Sequence, residues 1–165
     1  MRWLWIDRFV AFESGKSATA VKNLSLAEDH FADHFPGHPV MPAPLMLEGL
    51  AQTGGILVGE ANGYAKNVVL AKIPKASFRR EARPGETLTY TTKLEQLGDV
   101  GGLVSGTVHV GDEQIGEAEI FFAHVGPEQL KELTGSDNFV FTGNLQKMVG
   151  LAKAATQKGT PPPAR

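Results

Sequence analysis

The chain has 165 residues, of which 42% are hydrophobic, so it can form one globular domain with a real core but not two full domains. Its 18 acidic and 16 basic residues nearly balance, which argues against a nucleic-acid-binding protein or a polybasic membrane protein. The lack of cysteine excludes disulfides, thiolate nucleophiles and zinc ribbons.

The N-terminal region predicts a β-hairpin and no export signal. Asp7 and Arg8 interrupt the apolar residues too early for a signal-peptide core, so we expect a cytoplasmic protein. Strand-like residues follow at 8–13 and 17–24, and the turn residues 14–16 lie between them.

A proline-rich loop comes next, and it begins with a histidine. Four prolines lie within residues 34–44, and each of them fixes φ and disfavours regular structure. We therefore expect a stiff loop that holds His34 in place, with Gly37 shaping the turn behind it.

The segment Leu45 to Ala61 predicts a buried central helix, because it is apolar or small on nearly every side. Pro44 suits its first turn, and Asn62 and Gly63 suit its end. The apolar run is shorter than the roughly 20 residues that span a bilayer. Glu48 is an acid inside this apolar helix, and an acid there requires a functional explanation.

Four further strands are predicted after the helix, at 68–78, 86–97, 103–110 and 113–125. Turn residues separate them, and apolar and polar residues partly alternate within two of them, as in antiparallel strands with one covered face. A nearly all-apolar helix must be covered on most sides. The economical architecture is therefore an α+β fold, in which an antiparallel sheet of five or six strands wraps around the long central helix.

The pattern changes after this domain, which we place at residues 1–125. Residues 126–157 predict a helical C-terminal extension, with a short helix and then an amphipathic one. The apolar face of the second helix is expected to hold Leu145, Met148, Val149 and either Leu151 or Ala152. Residues 158–165 are rich in glycine, proline and charge, which predicts a disordered tail.

The loop and the central helix together carry a family motif. It consists of His34-Phe35-Pro36-Gly37, then Pro39-Val40-Met41-Pro42, then Leu45, Glu48, Leu50, Ala51 and Gln52. This run resembles the hot-dog fold (3R)-hydroxyacyl-[acyl-carrier-protein] dehydratases of type II fatty acid synthesis, including the 14-residue spacing from His34 to Glu48. Shorter matches extend the resemblance over roughly residues 5–125.

The resemblance implies a hot-dog fold and the dehydration of a (3R)-hydroxyacyl thioester to the trans-2-enoyl thioester. The acyl chain is carried by acyl carrier protein, and neither a cofactor nor a metal is implied. The catalytic residues are then His34 and Glu48, which in the family meet across a homodimer interface. Such dimers often assemble further into a hexamer, a trimer of dimers.

These residue types suit the reaction. Removing a proton α to a thioester carbonyl needs a base that works near neutral pH and a donor for the enolate oxygen, and imidazole is such a base. A carboxyl group kept partly neutral by apolar surroundings can protonate the leaving hydroxide. The N–H of Ala43 is the expected thioester donor, and Gln52, one turn after Glu48, is expected to orient the acid or bind water.

Three basic residues form a candidate docking patch for the acidic carrier protein: Lys75, Arg79 and Arg80. A solvated strand edge is the alternative interpretation of this cluster.

The chain departs from the family pattern in two places. Ala43 stands where most relatives carry glycine, and its methyl group crowds the approach of the thioester. The family's usual opening segment, which bears Pro and His, is replaced here by Trp3, Leu4 and Trp5, so the first turn is either truncated or repurposed.

Two other functions stay open: a hot-dog acyl thioesterase that uses Glu48, and a non-catalytic relative that binds acyl carrier protein or another hot-dog subunit.

Overall fold

The computed structural model describes residues 3–134 and 143–157, and a six-stranded antiparallel sheet is its largest element. The strands are β1 (Arg8–Glu13), β2 (Ser17–Asn23), β3 (Asn67–Phe78), β4 (Thr87–Gly98), β5 (Gly101–Val110) and β6 (Glu113–Val125). Their order across the sheet is β1, β2, β4, β5, β6, β3, and all neighbours are antiparallel. Each strand predicted from the sequence is present, and its ends lie within two residues of the expected positions.

The helices in the described residues are α1 (His30–Asp33), α2 (Ala43–Ala61), α3 (Pro127–Thr134) and α4 (Gly143–Gln157). The sequence predicts all of them except α1, because one turn of helix is too short to show a periodic pattern. α2 has Pro44 in its first turn and ends at Ala61; Asn62 is its C-cap, and Gly63 follows with a φ of +58°. Within the described residues, no helix is both long enough and apolar enough to cross a membrane.

The sheet wraps around α2, which contacts every strand from β2 to β6. The side chains of Leu50, Ile56 and Leu57 are fully buried between helix and sheet. Tyr90 of β4 packs directly against Gly49, where a Cβ atom would lie only 2.3 Å from the ring. Because only glycine allows this close approach, the contact determines how deep α2 sits and where the neighbouring Glu48 lies.

The C-terminal helix α4 packs on β1. Val149 and Ala152 are buried there, whereas Leu151 is 73% exposed, so Ala152 rather than Leu151 belongs to the apolar face. Lys153 forms an ion pair with Glu60 near the end of α2. The extension therefore contacts the main domain.

The domain bounds at 1–125 and 126–157 stay predictions, and the tail predicted at 158–165 lies outside the described residues.

Candidate active site

His34 follows α1 directly, and its imidazole is half-buried. Its Nδ1 lies 3.1 Å from the backbone oxygen of Val40. Because a carbonyl oxygen can only accept, Nδ1 carries the proton in this contact and donates it. In the neutral ring the lone pair is then on Nε2, which makes Nε2 the atom available as a base. The N–H of Val40 donates to the carbonyl of His34 over 3.0 Å and closes the same loop.

A tight turn behind His34 stiffens this loop. The N–H groups of Phe35 and His38 each donate to the carbonyl of the other residue, over 3.1 and 2.9 Å. Gly37 in this turn has a φ of +76°, in the left-handed region that favours glycine. The Phe35 ring stacks on the imidazole, with 4.1 Å between the ring centroids. The stacking of Phe35 was not predicted from the sequence, although its place directly after the motif histidine was the available signal.

An open cleft of about 430 Å³ lies beside His34. Its lining comes from the proline-rich loop, from Ala43, Pro44 and Met46 of α2, and from residues 78–81 at and just after the end of β3. Most of these side chains are apolar, and the charged ones come from residues 79–81. Such a cleft suits a ligand with an apolar chain and a polar or charged end.

The first turn of α2 begins at Ala43, which lines this cleft. Pro44 has no N–H, and the N–H groups of Leu45 and Met46 both donate to the carbonyl of Pro42, over 2.9 and 3.2 Å. Within the described part of the chain, the N–H of Ala43 has no acceptor. It is therefore the donor of this turn that remains for a ligand oxygen, at the positive end of the helix.

Glu48 lies one turn after Pro44 on α2 and is half-buried. Two donors hold the same carboxylate oxygen, Oε1: the side-chain amide of Gln52 at 2.9 Å and the indole Nε1 of Trp3 at 3.1 Å. The contact with Gln52 is the one that the helical spacing predicts. The contact with Trp3 was not predicted from the sequence, although the unusual N-terminal opening was a signal for it.

Within one chain, His34 and Glu48 have different surroundings. The cleft beside His34 is lined by Ala43, Pro44 and Met46 of α2, and Glu48 lies outside that lining. The contacts of Glu48 go to Trp3 and Gln52 instead. Among the described residues of a single chain, the two candidate catalytic groups therefore do not share the lining of this cleft.

The three basic residues of the candidate docking patch differ in their availability. Arg80 donates to Glu86 and Glu113, and the hydrogen bond with Glu86 raises the pKa of the guanidinium. Lys75 pairs with Glu117 over 2.9 Å. Arg79 is exposed, lies 3.7 Å from Glu117 and lines the cleft beside His34. Arg79 is thus the residue of the patch that is most available to a partner.

Three other histidines make contacts within the chain. His30 packs edge to face on Trp5, and His124 is bonded to Asn62 over 2.9 Å. The ring of His38 is exposed and contacts Glu81. Within residues 3–134 and 143–157, no three His, Asp or Glu side chains are grouped so that they could hold a metal ion.

The fold and the site together define a hot-dog protein with a histidine in a stiff loop and an acid in its central helix. The solved hot-dog-like protein from Thermanaerovibrio acidaminovorans is similar, with a TM-score of 0.62 and 13% identity over 75% of this chain and 91% of that one. The dehydratase heterocomplex ApeI:P from Xenorhabdus doucetiae has a TM-score of 0.55 and 19% identity, over 67% of this chain and 89% of that one. At these identities the similarity shows the fold alone.

Sequence comparison shows the family. The FabA-like domain family matches residues 1–119. The 3-hydroxyacyl-[acyl-carrier-protein] dehydratase FabZ from Pelotomaculum thermopropionicum is 39% identical over 122 residues, which cover 73% of this chain and 87% of that protein. The enzyme of the same name from Paracidovorax citrulli is 41% identical over 124 residues, 72% of this chain and 84% of that one. The chain therefore belongs to the FabA-like family, and the resemblance to hot-dog dehydratases that its motif indicates is confirmed.

Proposed function

We propose that this protein is a 3-hydroxyacyl-[acyl-carrier-protein] dehydratase of fatty acid biosynthesis. It removes water from a (3R)-hydroxyacyl thioester on acyl carrier protein and forms the trans-2-enoyl thioester. The observation that carries this proposal is the imidazole of His34, which lines a largely apolar cleft at the start of α2 and whose Nε2 has no hydrogen-bond partner among the described residues. The dehydratase relatives named above support the same activity.

In the proposed mechanism, Nε2 of His34 removes the proton from C2 of the substrate. The N–H of Ala43 donates to the thioester oxygen, on which negative charge develops. Glu48 in its protonated form gives its proton to the hydroxyl group on C3, which leaves as water while the double bond forms. The proton on His34 then returns to Glu48, so that both groups are ready for the next substrate.

We place each site at the interface of a homodimer, with His34 from one subunit and Glu48 from the other. The different surroundings of the two residues within one chain support this arrangement. β3 lies at an edge of the sheet, and its side chains Leu70 and Ile73 are exposed there. An edge strand of this kind is a template for pairing with a second copy. The hexamer and the cytoplasmic location stay predictions.

We also propose that Arg79 contacts the carrier protein. Its exposed guanidinium lies at the cleft beside His34, where the carrier would deliver the acyl chain. Arg80 and Lys75 contribute to the positive charge of this surface, although both are engaged with carboxylates of the chain itself.

The test is to incubate the purified full chain with 3-hydroxyacyl and 2-enoyl thioesters of acyl carrier protein at several chain lengths, and to follow both species by mass spectrometry. We expect interconversion of the two by loss or gain of one water. Release of free carrier thiol without an enoyl product would instead indicate a thioesterase. Tight carrier binding without turnover would indicate a non-catalytic relative, and either result would overturn the proposal.

A further inference from the structure

We propose that Trp3 is a positioning residue for Glu48: its indole N–H and the Gln52 amide hold one carboxylate oxygen and leave the other free for the substrate. This inference rests on the proposed function and deepens it, because it assigns a role to the N-terminal segment of this chain.

Two hydrogen bonds to one carboxylate oxygen of Glu48 support this role. The indole Nε1 of Trp3 lies 3.1 Å from Oε1 of Glu48, and Nε2 of Gln52 lies 2.9 Å from the same oxygen. Within the described residues, Oε2 has no donor. Two donors from different parts of the chain thus fix the orientation of the carboxyl group, and Oε2 remains available for proton transfer.

The N-terminal segment that carries Trp3 is held against the domain by Trp5. Trp5 is only 5% exposed, and its ring meets those of Trp3 and His30 edge to face, at centroid distances of 5.5 and 5.3 Å. The backbone N–H of Trp5 donates to Oε1 of Gln52 over 2.9 Å. Gln52 therefore links the N-terminal segment to the acid: its side-chain oxygen accepts from Trp5, and its side-chain amide donates to Glu48.

The side chain of Trp3 itself is 61% exposed. A ring that is so exposed contributes little to the core, so its defined contacts are those with Glu48 and with the ring of Trp5. Removing its N–H should then change the geometry of the acid without unfolding the domain.

The kinetic test compares the full-length chain with Trp3→Phe, which keeps an aromatic ring and loses the donor, and with Trp3→Ala. We expect kcat to fall about tenfold in both variants, KM to change less than about twofold, and the melting temperature to stay the same. Val100→Ala is the control, because Val100 is 76% exposed at the turn between β4 and β5 and should leave both constants unchanged.

A spectroscopic test reports on the contact independently of activity. The chain has two tryptophans, so protein labelled with ¹⁵N-tryptophan gives two indole N–H signals, and Trp3→Phe identifies which belongs to Trp3. Glu48→Gln replaces the carboxyl group that accepts from Trp3 by an amide and should move the Trp3 signal. The Trp5 signal is the internal control, because its Nε1 is buried without an acceptor in the described structure.

The outcomes separate this inference from the function on which it rests. An active wild-type protein whose kcat is unchanged by Trp3→Phe would overturn the role of Trp3 and leave the proposed function intact. A Trp3 signal that does not respond to Glu48→Gln would also overturn it. A wild-type protein without any turnover would instead overturn the proposed function, and the positioning role of Trp3 with it.

Discussion

The imidazole of His34 donates from Nδ1 to the backbone carbonyl of Val40 across 3.1 Å, and this contact leaves Nε2 as the basic atom. His34→Ala removes that base, so we expect kcat to fall by about 10³-fold while the fold is kept. Steady-state kinetics and circular dichroism check the two parts of this prediction. His38→Ala is the matched control, because this ring is exposed in the same loop and should leave kcat within about twofold.

A site shared between two subunits predicts rescue by mixing. His34→Ala and Glu48→Ala should each be inactive alone. When the two are unfolded and refolded together, about half of the dimers are mixed, and each mixed dimer has one intact site. We expect about a quarter of the wild-type activity per protein chain. Mass spectrometry of the intact dimers shows whether mixing took place, and mixed dimers without activity would contradict the shared site.

The free N–H at the start of α2 can be tested with two substitutions at one position. Ala43→Pro removes this donor at a helix position that accepts proline, so we expect a loss of kcat of about 10²-fold with little change in stability. Ala43→Gly keeps the donor and removes the methyl group, and we expect it to lower KM. Thermal unfolding monitors both variants. A proline variant with wild-type kcat would show that another donor binds the thioester oxygen.

Charge reversal at the cleft tests the contact with the carrier protein. Arg79→Glu should raise KM for carrier-bound substrate about tenfold at low salt, and this difference should shrink as salt is added. The same substrate on free pantetheine should show no difference, because it lacks the acidic carrier. Lys93→Glu is the control, since this exposed lysine lies on β4 outside the cleft lining. Equal effects of both substitutions would argue against a specific contact.

The carboxyl of Glu86 predicts how stability depends on pH. Burial raises the pKa of Glu86, but hydrogen bonds from Arg80 and the Arg83 backbone outweigh burial and bring the pKa below its ordinary value. A carboxyl whose pKa is lowered on folding stabilises the fold above its unfolded pKa, and this stabilisation is lost as pH falls through the folded pKa.

Glu86→Gln should therefore lower the free energy of unfolding at pH 7 by about 1–3 kcal/mol. The gap to wild type should close as pH falls through the lowered folded pKa of Glu86, where the wild-type carboxyl becomes protonated. Urea unfolding at several pH values measures this dependence. Glu119→Gln, at an exposed position on β6, should stay within about 0.5 kcal/mol of wild type at pH 7. A gap for Glu86→Gln that is constant with pH would contradict the ion-pair explanation.

Much of this molecule follows from local patterns. Alternation and turn residues predict all six strands, and the apolar run with Pro44 and Gly63 at its ends predicts α2. The contact between Gln52 and Glu48 follows in the same way, because residues four apart share a helix face. The single turn α1 escaped prediction, since four residues carry no period.

Residues that are close along the chain, or that form a recognisable motif, specify the strands, the central helix, the stiff loop at His34 and the family. The packing of these elements in three dimensions, by contrast, brings the Trp3 donor to Glu48, 45 residues away, and engages Arg80 with Glu86 and Glu113. It also decided that Ala152 and not Leu151 faces β1. Contacts of this kind depend on how the packed elements lie against one another, and neither backbone preference nor hydrophobic period specifies that placement.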